Sequence, residues 1–378
     1  MAATTWLPTS SASLNLKATK TKPTMPPTLR LMCYAQKMTY DGEPRAVFSS
    51  VKTFAPATVA NLGPGFDFMG CAVDGIGDTV SARVDPDVHP GEISISHISG
   101  KTPNIHKLSK NPLWNCSGIA AMEAMKMLGV RSVGLSLSLE KGLPLGSGLG
   151  SSSASAAAAA VAVNELFGKR LTMDELVVAC LKSEETVSGY HADNVAPSIM
   201  GGFVLVRNYE PLELVRLKFP SEKVLYFVLV TPEFEAPTKK MRSALPVEIG
   251  MAHHVWNCSQ AGALVAGVLQ GDLLMLGKAL SSDTIVEPKR AALIPGMVAV
   301  KKAAIDAGAY GCTISGSGPT AVAVTDDEDK GRFIGQQMVR AFQKHGNLKA
   351  SAHVKQLDRR GARLLSGVPA NCFDSVSV

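Results

Sequence analysis

The stretch that decides the fold is Pro144-Leu-Gly146-Ser-Gly148-Leu-Gly150-Ser151-Ser152-Ser153. Just before it, residues 133–139 alternate Val or Leu with Gly or Ser, the period of a half-buried strand. Just after it, residues 151–167 are crowded with alanine, stop at Gly168, and predict a helix. Closely spaced glycines between a strand and a helix let backbone N–H groups wrap an anion. The helix start adds unpaired N–H donors and the positive end of its dipole. Two familiar phosphate loops are excluded: no Gly-Lys-Ser/Thr stands at P-loop distance, and Gly146-x-Gly148-x-Gly150 lacks the dinucleotide spacing. Taken alone, the same stretch also reads as a flexible hinge before a packing helix.

Outward from this loop the chain alternates short β-branched runs with helical ones, an α+β pattern. Strands are predicted at 51–54, 77–84, 93–96, 203–206 and 224–230, and a strand–glycine–strand element at 313–324. Asn111 and Pro112 form an N-cap signal for a helix through Met127 that stops at Gly129, and Thr172 with Glu175 makes a capping box for a helix to about residue 185. Further helices are expected at 251–269, 273–280, 297–307 and 330–344. A composition shift near Pro220 divides the chain into 47–220 and 221–378, behind a leader at 1–46.

The chain has 378 residues, with 38 Lys+Arg against 32 Asp+Glu and a net charge of +6. Residues 1–40 hold Lys17, Lys20, Lys22, Arg30 and Lys37 and no acid, so the rest is nearly neutral. That neutrality, with no basic–aromatic clusters, disfavours a nucleic-acid partner. The leader is basic, rich in Ser and Thr, and lacks a secretory apolar core, which matches an organelle transit peptide, plastid ahead of mitochondrial. Seven cysteines, none in a CxxC pair, argue against a disulfide framework or zinc site and read as buried thiols. The alanine-rich stretch is too short to span a bilayer, so no membrane partner is expected.

Two further stretches accompany the loop. One is Ala55-Pro-Ala-Thr58-Val-Ala-Asn61-Leu-Gly63-Pro-Gly65-Phe-Asp67-Phe-Met-Gly70; the other is Thr313-Ile-Ser315-Gly316-Ser317-Gly318-Pro319-Thr320. Together with the loop, in this order, they resemble the three motifs of the GHMP kinases, the small-molecule kinases named for galactose, homoserine, mevalonate and phosphomevalonate. The resemblance runs from Val51 to the last helix. It is nearest the homoserine-phosphorylating branch, to which ANLGPGFD, His191-Ala-Asp193-Asn194-Val-Ala-Pro197, Thr238-Lys-Lys-Met-Arg242 and Glu287-Pro-Lys-Arg290 are similar. The sugar and mevalonate branches place a lysine where this chain has Thr58.

The resemblance implies a two-domain α+β GHMP kinase fold, with an N-terminal ribosomal-protein S5 domain 2-like half and a C-terminal ferredoxin-like α/β sandwich. It implies phosphoryl transfer from ATP to an amino-acid hydroxyl, with Mg²⁺, in a plastid of a plant cell, and a homodimer is possible. Pro144, Leu145, Gly146, Ser147, Gly148, Leu149, Gly150, Ser151, Ser152 and Ser153 would cradle the nucleotide phosphates. Ser151 or Ser152 and Glu184 would hold the metal, with neighbouring Glu185 the alternative. A zwitterionic acceptor needs an anion for its ammonium and cations for its carboxylate. Asp67, with Asn61, would take the first; Arg242 and Arg290 would take the second. His191, Asn194, Thr238 and Gly316 would line the same pocket. Asp193 is the candidate proton acceptor and Asn194 could orient the hydroxyl. Gly316 and Gly318 also suit a tight turn with positive φ, and both readings can hold together. Rival readings are another kinase or a decarboxylase of the family, a ligand sensor that has lost turnover, and a nucleic-acid-binding domain.

Overall fold

A computed structural model describes residues 42–100, 104–187 and 189–370. Residues 1–41 of the transit-like leader, Cys33 among them, and residues 371–378 with Cys372 lie outside these residues. The elements in chain order are β1 (Phe48–Ala60), β2 (Met69–Val84), β3 (Ile93–Gly100), α1 (Cys116–Leu128), β4 (Leu135–Lys141), α2 (Ser151–Leu166), α3 (Met173–Val187), α4 (Val195–Met200), β5 (Phe203–Tyr209), β6 (Leu212–Leu217), β7 (Tyr226–Pro232), α5 (Thr238–Ser243), α6 (Met251–Gln270), α7 (Leu273–Leu280), α8 (Glu287–Ala291), α9 (Met297–Asp306), β8 (Gly311–Ile314), β9 (Ala321–Thr325), α10 (Glu328–Ala341), β10 (Ala350–Gln356) and β11 (Arg363–Pro369).

Seven strands form the first sheet, in the order β11-β1-β2-β4-β3, with β5 on β2 and β6 on β5. β2 pairs along its length with β1 but divides its other edge: Met69–Cys71 meet β5, and Thr79–Val84 meet β4. The four-stranded second sheet runs β10-β7-β9-β8, wholly antiparallel. Its strands show the two-residue period of side chains. Phe227 and Leu229 of β7 and Val322 and Val324 of β9 enter the large core shared with the first sheet, whereas Val228, Val230, Ala321 and Ala323 face a smaller core against α9 and α10. The described residues pack as one unit. The 220 boundary falls between β6 and β7, yet β11, within the 221–378 stretch, pairs with β1 in the first sheet.

α2 is the central helix. Every residue of it but Ser152 is buried, because an alanine run lets β1 and β2 on one side and α1 and α3 on the other approach its backbone closely. Such a helix cannot drift along its axis, so its N-terminus is a fixed point. No helix among the described residues is long and apolar enough to cross a membrane.

Most predicted elements stand within a few residues, and the differences have physical causes. Asn111 caps only a short 3₁₀ turn at Pro112–Trp114; a second asparagine, Asn115, caps α1 by accepting from Ser117 N. Gly129 ends α1 in the left-handed conformation as expected. Thr172 and Glu175 make the reciprocal bonds of the capping box. The last helix begins earlier than expected, because Asp327 accepts from Lys330 N, and ends in a π turn at Phe342–Gly346. β2 starts eight residues before the predicted 77 because Gly70, Gly75 and Gly77 hide its alternation. Among the described cysteines, Cys71, Cys180 and Cys312 are buried thiols, but Cys116 is half-buried and Cys258 exposed. Burial pushes the Cys312 thiol up to about 12, so it is inert.

Candidate active site

The glycine loop leaves β4 at Lys141 and enters α2 at Ser151. Gly146, Gly148 and Gly150 all have positive φ, at 64°, 81° and 65°. Gly150 is the N-cap of α2 and has no side chain to satisfy the first turn, so those N–H groups face the cleft as an anion site. Gly150 also touches two other motifs: a Cβ there would overlap Thr58 Oγ1 and lie 3.0 Å from Asn194 Oδ1. Thr58, fully buried, donates to Asn194 Oδ1 at 2.7 Å. Thr58 therefore ties β1 to the Asp193-Asn194 segment.

Gly146 has the same backbone strain but open space around it. Gly150→Ala and Gly146→Ala thus share a conformational cost of about 1–2 kcal/mol, and only Gly150→Ala adds a steric one. We expect Gly150→Ala to melt on the order of a few degrees lower than Gly146→Ala. Equal melting temperatures by differential scanning calorimetry would show that the Thr58–Gly150–Asn194 contact yields freely.

The third motif fastens the other two. Ser315 Oγ donates to Gly148 O at 2.7 Å, Thr320 N donates to Ser147 O at 3.2 Å, and Gly316 N donates to Ala60 O at 2.9 Å. Its turn is closed by Gly318 N on Ser315 O at 2.8 Å, with Gly316 and Gly318 at positive φ. Arg290 Nη1 donates to Gly316 O at 2.8 Å, and Thr238 Oγ1 lies 3.4 Å from Ser317 Oγ.

Opposite the loop lies a charged cluster. Asp67, at positive φ in the β1–β2 connection, is forked by Arg242 at 2.9 and 2.8 Å, and His191 Nδ1 is 3.8 Å away. Asn61 Oδ1 accepts from Asp67 N at 2.9 Å, so that oxygen shapes the loop carrying Asp67. The Phe66 ring lies beneath both guanidinium groups, 5.3 Å from Arg242 and 4.8 Å from Arg290. The Nε atoms of Arg242 and Arg290 are buried without a hydrogen-bond partner. A buried guanidinium N–H without a partner is costly and points to an anion from outside the chain. Burial, with Arg242 beside it, lowers Arg290 to about 10, so it remains cationic at neutral pH. Burial also pulls His191 below its ordinary value, which keeps the imidazole neutral at pH 7.

Between the loop and the cluster stand Asp193, Asn194 and Glu184. Burial first, then the Asp67 and Glu184 carboxylates, push Asp193 up to about 7. Glu184 is buried and accepts from Ser153 Oγ at 2.8 Å, whereas Glu185 is exposed and paired with Lys182 at 3.2 Å. No group of three or more His, Cys, Asp or Glu residues that could hold a metal is found among the described residues.

One cleft is lined by Asn61, Asp67, Gly146, Ser147, Gly148, Gly150, Ser151, Ser152, Ser153, Glu184, His191, Asp193, Asn194, Thr238, Arg242, Arg290, Gly316 and Ser317. Three sequence-predicted residues, Pro144, Leu145 and Leu149, do not line it. Leu149 turns its side chain into the core because its carbonyl is held by Thr58 N at 3.1 Å. Ser147 turns its hydroxyl back onto Pro144 O at 3.0 Å. Sequence reasoning missed Phe66, and also Tyr209, which accepts from Ala192 N at 3.0 Å and donates to Asp67 O at 3.3 Å. No local pattern marks a tyrosine whose two partners are 17 and 142 residues away.

Residues 117–202 match the family model described as the GHMP kinases N terminal domain, and residues 263–344 match the GHMP kinases C terminal model. The chain is 72% identical over 326 residues to a homoserine kinase of Arabidopsis thaliana, covering 86% of this chain and 87% of that one. It is 42% identical over 324 residues to a homoserine kinase of Chlorobium phaeovibrioides, covering 84% and 99%. The crystal structure of a homoserine kinase from Cytophaga hutchinsonii superposes with a TM-score of 0.78 at 39% identity, covering 85% of this chain and 99% of that one. Three motifs joined by hydrogen bonds around one cleft, and these matches across nearly all of the described chain, lead to one statement: the chain belongs to the homoserine kinases of the GHMP kinase family.

Proposed function

We propose that the protein transfers the γ-phosphoryl group of ATP to the side-chain hydroxyl of L-homoserine, giving O-phospho-L-homoserine for threonine biosynthesis. The observation that carries this reading is an uncapped helix N-terminus facing two arginines whose buried Nε groups lack partners, across one cleft. Phosphoryl transfer asks mainly for positioning and charge stabilisation. Backbone N–H groups of 146–153 take the nucleotide phosphates. Asp67 takes the acceptor's ammonium, and Arg242 and Arg290 take its carboxylate, with neutral His191 and Thr238 at the pocket wall. This end-to-end grip leaves the hydroxyl beside Asp193 and Asn194.

Asn194 Oδ1 is engaged by Thr58, so its amide N–H₂ is left to orient the hydroxyl. Asp193 accepts the proton. The hard oxygen donors of Glu184 and the Ser151 hydroxyl fit a cation that takes few protein ligands. Bound there, Mg²⁺ would neutralise charge on the phosphate oxygens.

A carboxylate raised to about 7 is the conjugate base only above that pH. Activity therefore falls as pH drops through an inflection at or below about 7, since a cation held by Glu184 would remove part of the rise. Asp193→Asn loses this acid limb. A kcat profile with the same limb in both proteins would leave Asp193 with no part in proton transfer.

The reading is tested by ADP release from a chain beginning at Gly42, which keeps the Glu43 carboxylate that accepts from Arg131 N and Ser132 N at 2.7 Å. Homoserine, mevalonate, galactose and no acceptor are compared. Turnover independent of homoserine, or preferring galactose, overturns the assignment. We further propose that residues 1–46 direct the enzyme to the plastid stroma. Fusion of these residues to a fluorescent protein in leaf cells tests this, and a cytosolic signal rejects it.

A further inference from the structure

Beneath the glycine loop lies an ion pair that no part of the mechanism above uses. Asp78 and Lys141 are both buried, with side chains 1% and 3% exposed, and neither lines the cleft. Asp78 sits on β2 just before its pairing with β4 begins at Thr79, and Lys141 is the last residue of β4. Asp78 Oδ1 accepts from Gly142 N at 3.0 Å and Leu143 N at 3.2 Å, the first amides of the loop. Lys141 Nζ donates to Ser151 O at 2.9 Å and Ser155 Oγ at 2.6 Å, in the first turns of α2. Ser155 Oγ in turn donates to Asp78 Oδ2 at 2.6 Å, and Lys141 pairs with the same oxygen. All three ammonium donors and four acceptor positions of the carboxylate are thus used.

A buried ion pair is weak evidence for stability, since apolar residues of equal volume often serve as well. Every remaining partner of this pair, however, belongs to one of the two stems of the loop. Gly142 packs against Gly77 O so closely that no Cβ fits, which brings the first stem onto β2 beside Asp78. We infer that Asp78, Lys141 and Ser155 are positioning residues that lock the two stems of the loop together, and so set the spacing of its N–H groups for the phosphates of ATP. The inference rests on the reading of the loop as the nucleotide site.

The test combines titration of the full chain with a fluorescent mant-ADP probe and steady-state KM values for both substrates. Ser155→Ala opens the network but keeps the ion pair. It removes both bonds of Ser155 Oγ, raises the mant-ADP Kd and the ATP KM at least about fivefold, and leaves the homoserine KM within about twofold. Asp78→Asn with Lys141→Met removes both charges together and weakens mant-ADP at least about tenfold. Gly146→Ala places a methyl group in the open cleft and reports on the loop itself. If it leaves mant-ADP affinity unchanged, the loop does not hold nucleotide and both readings fall. If it weakens binding while Ser155→Ala and the double variant do not, only the positioning role falls. Equal factors on ATP and homoserine, or a lower melting temperature without a change in nucleotide affinity, also overturn it. Where the double variant does not fold, Ser155→Ala decides.

Discussion

Asp67→Ala raises the homoserine KM on the order of a hundredfold, the effect of about 3 kcal/mol from breaking a partly buried, hydrogen-bonded charge pair, while the ATP KM moves little. Asp67 and Arg242 satisfy each other through two bonds of 2.9 and 2.8 Å. On the proposed reading, a zwitterionic substrate would offer both a second partner of the right sign: its ammonium for Asp67, and its carboxylate for the unpaired Nε edge of Arg242. Removing Asp67 takes away the ammonium's counter-charge and leaves Arg242 without its anchor over Phe66. Arg242→Ala should act similarly, and the double variant should cost much less than the two single losses combined, because the residues form one network. KM values for homoserine and ATP in the three variants check this. A parallel rise in both constants would place the acceptor elsewhere in the molecule.

Glu184→Gln lowers kcat/KM on the order of a hundredfold or more, the loss of several kcal/mol of charge stabilisation at the phosphates. It also shifts half-maximal activity to higher Mg²⁺ concentration. The substitution preserves shape and the bond from Ser153 Oγ while removing the charge. Glu185→Gln is the internal control, because Glu185 is exposed and engaged with Lys182. A second readout follows from the electrostatics. The Glu184 carboxylate helps hold Asp193 up near 7, so its neutralisation moves the acid limb of the pH profile to lower pH. Equal activity losses in the two variants, or an unaltered Mg²⁺ dependence, would show that the metal is held by other groups.

Both predictions start from residues visible in the sequence, yet each needed the structure for its form. Asp67 and Arg242 are 175 residues apart, and their motifs marked them as two ends of a substrate clamp without indicating that they pair with each other. Resemblance put Glu184 ahead of Glu185, but nothing in the adjacent letters themselves separates the two. Their difference arises because α3 turns one toward α2 and the other to solvent. The site was legible where its chemistry depends on local backbone, as in the glycines that take positive φ or leave a helix start uncapped. It was illegible where a side chain acts at long range, as with Tyr209 bridging Ala192 and Asp67, or Phe66 beneath the two arginines.

The fold divides in the same way. Capping residues, glycine stops and a two-residue or helical period are local properties, so α1, α2, α3 and the strands β7, β8 and β9 could be read directly. β10 and β11 could not, since their largely exposed sequences show no alternation and gain strand character only from the partners they meet, β7 and β1. By itself the sequence determined the glycine loop between a strand and a helix, the family and the near-neutral body behind a cationic leader, because each is written in contiguous residues. Only the tertiary structure decided which groups face each other across the cleft, which carboxylate is buried, and that Asp78 and Lys141 bind the two stems of the loop. Those facts depend on desolvation and on contacts between distant segments, which no local stretch of chain contains.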